Sequence, residues 1–190
     1  MRNQVTVTPL LEQDVGFGFR QLADPACKAL SPAVNDPYTA IQAIDHLAVL
    51  FGALAARPVG DYIARDDAGT VRVVVPGRRF AELLSITVGL IRRSGAAEPN
   101  VVQALLRLLG TCAALAIEDP RRWADVEKQA RLLVADAERL IGQPEDLVVV
   151  HAQADSVDRV LSDRRAGRPT RADQHPAAPG SRVGGGKGLL

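Results

Sequence analysis

Aromatic residues are scarce: four Phe, two Tyr and one Trp in 190 residues. A core without them must be filled by Leu, Val, Ile and Ala, and an apolar content of 47% supplies enough of these. Cysteine is nearly absent too. Cys27 and Cys112 each sit in an apolar helical pattern, so they read as buried structural thiols rather than a disulfide. No CxxC or HxxxH spacing occurs, which leaves a zinc site without support. Charge of one sign is also lacking. A net charge of +1 argues against non-specific nucleic-acid binding by the whole chain. Residues 167–190 alone are basic, with Arg168, Arg171, Arg182 and Lys187 against Asp173. No apolar run of signal-peptide length opens the chain, and the apolar stretches at 47–56 and 101–117 fall short of the ~20 residues a bilayer requires. On these grounds the chain taken alone is expected to be soluble and cytoplasmic, with no transmembrane segment.

What is present is helical periodicity punctuated by proline. Residues 2–8 alternate Val5 and Val7 with polar residues and predict a short strand. A helix is expected from Leu11 to Leu30, with Phe19, Leu22, Ala26, Ala29 and Leu30 as its apolar positions and a kink or break near residues 21–24, because Pro25 removes a backbone donor. Ser31-Pro32 ends it, and Asp36-Pro37 begins a second helix to about Arg57. The stiff corner between them predicts an αα-hairpin. Residues 61–75 read as strand, turn, strand, with Asp66-Asp67-Ala68-Gly69 as the turn. The strand at residues 2–8 is expected to pair with this hairpin, or helices to cover it. Four more helices follow, three of them opened by the pairs Glu98-Pro99, Asp119-Pro120 and Gln143-Pro144.

The fold expected is therefore mainly α: about six helices with an N-terminal αα-hairpin and a small β-hairpin or three-stranded sheet, in one domain over residues 1–166. Residues 167–190, rich in Gly, Pro and Arg, are expected to form a disordered tail.

Residues 17–45, "FGFRQLADPACKALSPAVNDPYTAIQAID", resemble a bacterial family of predicted membrane proteins called domain of unknown function 2254. The matching elements are residues 17–22, Ala29-Leu30-Ser31-Pro32, Asn35-Asp36-Pro37, Thr39-Ala40 and Asp45, with "RVVVP" at 72–76 further on. The similarity extends over roughly residues 6–142. The resemblance implies a block of transmembrane helices followed by a soluble region. This chain matches the soluble region, as a standalone gene, a truncated frame or half of a split protein. Pro25 stands where the family has an aliphatic residue. The resemblance carries over no activity and no catalytic residues.

Arg20 and Asp45 lie at comparable distances before and after the corner, so they are expected to pair across the hairpin. That pair is either architectural or, with Asn35 and Asp36, part of a ligand or ion site. For Asn35 and Asp36 themselves, turn-making and capping compete with presentation to a partner. His46 adjoins Asp45, but neighbours on a helix point about 100° apart, so the two are no dyad. Ser31, Ser85 and Ser94 lack a GxSxG context, "GFGFR" is not GxGxxG, and "DDAG" has too few spaced oxygens for a calcium loop. The leading expectation is a non-enzymatic oligomerisation, docking or regulatory module, without metal or cofactor, whose partner is a second copy or a membrane protein. The alternative is a small-molecule or ion-binding regulatory domain using Arg20, Asn35, Asp36 and Asp45. A hydrolytic enzyme ranks third.

Overall fold

The computed structural model describes residues 15–168. The expected strand at residues 2–8 lies outside the described residues, as does the expected tail beyond Arg168. Six helices and one β-hairpin follow in the order α1 (Val15–Ala29), α2 (Pro37–Ala55), β1 (Tyr62–Arg65), β2 (Val71–Val75), α3 (Phe80–Gly95), α4 (Pro99–Leu115), α5 (Pro120–Leu140) and α6 (Pro144–Arg165). The mainly α expectation stands.

All four X-Pro pairs open helices at the expected residues. In α2, α4 and α5 the residue before the proline also caps: Asp36, Glu98 and Asp119 accept from the N–H of Thr39, Asn100 and Arg121. Proline fits because its missing N–H would be an orphan in the first turn.

Helix α1 runs through Pro25 without the expected break. The reason is where Pro25 sits. It lies on the exposed side of α1, as does Gln21, whose carbonyl loses its helical partner and can be satisfied by water. The buried stripe is Phe19, Ala23, Ala26 and Ala29, while Leu22, expected inward, is 47% exposed.

Helix α4 is the hub, buried along Val101, Val102, Leu105, Leu106, Leu108, Leu109 and Cys112 and packed by α2, α5 and α6. Burial drives the Cys112 thiol pKa up to about 12, so it behaves as a core apolar group. Helices α2 and α4 run parallel. A Cβ on Gly52 would come within 2.9 Å of Leu115 Cδ1 and 3.1 Å of Thr111 Cγ2, so the missing side chain lets the two backbones approach at their C-terminal halves. Just beyond, Ile117 N donates to Ala55 O at 3.0 Å. Parallel neighbours need a crossover, which the hairpin and α3 supply.

The hairpin is turned by Asp66, whose Oδ1 accepts from Ala68 N and Thr70 N. Among the described residues the sheet has two strands and no helix packs closely on it; the expected third strand, at residues 2–8, lies outside them. Every β2 position is exposed.

Candidate functional site

The corner at residues 31–36 is built by local bonds. Val34 N and Asn35 N donate to Ser31 O at 3.0 and 2.8 Å, and Asp36 N reaches back to Ala29 O at 2.8 Å. Asn35 takes a left-handed conformation, φ 47°, which Asn tolerates better than most residues. Asp36 then accepts from Thr39 Oγ1 at 2.5 Å and Thr39 N at 3.1 Å. The Thr39 hydroxyl, and after it the Thr39 amide, hold the Asp36 carboxyl below its ordinary pKa.

Because α2 and α4 are parallel, their first turns lie side by side. Between them opens a groove of about 660 Å³, lined on the α2 side by Asn35, Asp36 and Tyr38, and on the α4 side by Glu98, Gln103 and Arg107. Asp36 and Glu98 are both engaged as caps, so the groove presents the Asn35 amide, the Tyr38 phenol and the Arg107 guanidinium.

Two of the four expected site residues, Asn35 and Asp36, therefore line one groove. Asp45 lies next to it, but its ion-pair partner is Arg107 of α4, 3.6 Å away, and not Arg20. Arg20 sits on the exposed side of α1 and does not line the groove. The αα-hairpin itself is present, with the Phe19 and Phe51 rings 4.7 Å apart across it. The expected pair fails because α2 has two neighbours, and Asp45 is on the side that meets α4. Sequence reasoning missed Tyr38, Glu98, Gln103 and Arg107. The repeated X-Pro start was the one available signal, since it marks two helix beginnings that pack together when the helices are parallel.

Two of the three histidines lie among the described residues, and each has a neighbour. His46 Nδ1 lies 2.7 Å from Gln42 O on its own helix, and His151 Nε2 is 2.9 Å from Glu138 Oε1 of α5, a neighbour that sequence spacing did not reveal. Among the described residues no three His, Cys, Asp or Glu side chains are grouped as metal ligands. Helix α2, at 19 residues, is long and apolar enough to cross a bilayer by length and composition. The apolar stretch at 47–56 is the second half of this helix, which begins ten residues earlier at Pro37 and buries Ile44, Leu47 and Phe51 in the core.

The family model described as "Predicted membrane protein (DUF2254)" matches residues 5–111, which hold the whole groove. Uncharacterized proteins of Mycobacterium bovis and of two Mycobacterium tuberculosis strains are each 41% identical to this chain over 151 residues, or 80% of it. The chain spans 29% of the length of these relatives. No solved structure matches it. By the family match, which takes in more than half of its residues, the chain belongs to this family of predicted membrane proteins.

Proposed function

We propose that the chain is a non-enzymatic assembly module of its membrane-protein family, and that it associates with a second copy through the β-hairpin. The observation that carries this reading is the hairpin itself. Tyr62, Ile63, Val71, Val73, Val74 and Val75 are all 43–67% exposed, and among the described residues each strand has one unpaired edge. A two-stranded hairpin is marginal in water, and an open apolar edge is a template for pairing. Strand β2 is self-complementary. Antiparallel pairing with its own copy about Val73 sets Val71 opposite Val75 and Arg72 opposite Val74, so no like charges meet. Arg72 is already paired within its own hairpin, 2.7 Å from Asp66.

Sedimentation velocity over a concentration series tests this. The wild-type protein is expected to dimerise or assemble further, and Val73→Lys to sediment as a monomer with an unchanged circular-dichroism spectrum. A wild-type monomer throughout the series contradicts the reading, as does an assembly that Val73→Lys leaves intact.

A second reading, a regulatory ligand site, is favoured by one observation: Asn35 and Asp36 line the groove that Arg107 closes from α4. In that reading Asp45 positions Arg107, and Arg20 takes part only through a ligand or partner that reaches across α1. Chemical-shift changes confined to Asn35, Tyr38 and Arg107 on screening small polar metabolites would support it; a screen that leaves those signals in place counts against it.

A further inference from the structure

Strand β1 leaves the helical body at Tyr62 and runs out to Arg65, and β2 returns from Val71 to Val75. The pairing is antiparallel, with Tyr62 opposite Val75 and Ala64 opposite Val73, so among the described residues the outer edges of both strands are open. Two open edges have a consequence for assembly. Copies that pair through either edge add without limit and form a fibre. A single open edge that pairs with itself about a two-fold axis closes at a dimer. A closed assembly through β2 therefore requires something on the outer edge of β1.

The N-terminal segment of the same chain is placed to cover it. The start of α1 lies at the root of the hairpin: a Cβ on Gly16 would fall 2.6 Å from Arg78 Nε, and Arg78 follows the end of β2 by three residues. Residues 2–8, outside the described residues, are joined to this point by residues 9–14. Six residues reach about 20 Å when extended, against about 5 Å between neighbouring strands, so both edges are within reach. Direction separates them. By the shortest path residues 2–8 run toward α1 and so toward the root. Strand β2 also runs toward the root, and β1 runs away from it. A ladder with β2 would be parallel and one with β1 antiparallel, which is the more stable arrangement. The residues suit an edge position. Val5 and Val7 alternate with Gln4, Thr6 and Thr8, and Pro9, which has no N–H to give a ladder, ends the stretch. The family match begins at residue 5 and takes in this stretch together with the hairpin.

We propose that residues 2–8 pair antiparallel with the outer edge of β1, with Thr8 near Tyr62 and Val5 near Arg65, and so leave β2 as the one edge on which a second copy joins. Two copies then meet β2 to β2 in a six-stranded sheet and go no further. The dimer limit rests on the assembly reading above; the pairing of residues 2–8 with β1 does not.

Two measurements keep these apart. Val73→Lys, monomeric by the assembly reading, isolates the pairing within one chain. Its nuclear Overhauser contacts are expected to join residues 5–8 to residues 62–65 in antiparallel order, and Val5→Pro added to it is expected to abolish them. If Val73→Lys does not fold, the same contacts are read on the wild type at its lowest usable concentration. Their absence overturns the proposal, as do contacts to residues 71–75 in their place. Sedimentation velocity reads the consequence. The wild type is expected to stop at the dimer, and Val5→Pro alone, with the β1 edge opened, to form a broad series of larger species. A wild type that grows past the dimer, or a Val5→Pro that stops at it, overturns the assigned role. A wild type that is monomeric throughout contradicts the assembly reading instead, and the contacts between residues 5–8 and 62–65 then decide the pairing on their own.

Discussion

Asp45 and Arg107 occupy equivalent places on two parallel helices: each lies eight residues past its helix-opening proline, Pro37 or Pro99, and their side chains meet at 3.6 Å. The pair records the register of α2 on α4 and stands beside the groove at the two helix starts. Both side chains are about half exposed, so the pair marks the geometry more than it stabilises it. In a urea double-mutant cycle Asp45→Asn and Arg107→Gln are expected to couple by about 0.5 kcal/mol or less, and Asp45 and Arg20 not at all. A measurable Arg20–Asp45 coupling would contradict the observed register.

The Asp36 cap carries a pH signature. Its pKa is lower in the folded protein than the ordinary 3.8, chiefly through the Thr39 hydroxyl. The ionised carboxylate therefore stabilises the native state. That contribution is complete above the unfolded value and is lost as pH falls through the lower, folded value. Asp36→Ala is expected to melt below the wild type at pH 7, and the gap to close below the ordinary carboxylate range. Melts between pH 2.5 and 7 check this, and a gap that persists unchanged in acid would show that the cap does not act through the carboxylate.

Asp136 holds together α3 and α5. It pairs with Arg92 of α3, both side chains about 15% exposed, and its other oxygen accepts from Arg139 at 2.7 Å. Removing it strands Arg92, whose pKa desolvation already lowers. Asp136→Ala is expected to cost on the order of 3 kcal/mol by chemical denaturation, well beyond Arg139→Ala, which removes only the exposed partner.

The root of the hairpin depends on Gly77. A Cβ there would lie 2.1 Å from Gly60 O, a backbone atom that cannot turn aside. Gly77→Ala is expected to lower stability by about 1–3 kcal/mol and to shift the amide resonances of Gly60 and Asp61. Gly52→Ala meets only the far end of Leu115 and the methyl of Thr111, and is expected to be milder.

Much of this architecture could be read from local chemistry. Each X-Pro pair fixes a helix start through the first-turn rules, and the Asp66 turn fixes the hairpin, because the determining atoms lie within a few residues of one another. What escaped the sequence depended on neighbours far along the chain. Distance from the corner could not tell that Asp45 faces α4, because α2 has partners on two sides. Pro25 predicted a break only while its exposure was unknown. Leu22 fits the apolar stripe of the first helix by spacing, yet it points outward. Half of the groove comes from residues some sixty positions beyond the corner, and Arg107 became a candidate only once the two helices were known to be parallel.

Hydrogen exchange of the hairpin amides across a concentration series addresses assembly most directly. If copies join edge to edge, protection over residues 62–75 should grow with protein concentration and disappear in Val73→Lys, while the amides of α4 stay protected throughout. Hairpin amides that exchange at the same fast rate at every concentration would contradict the account.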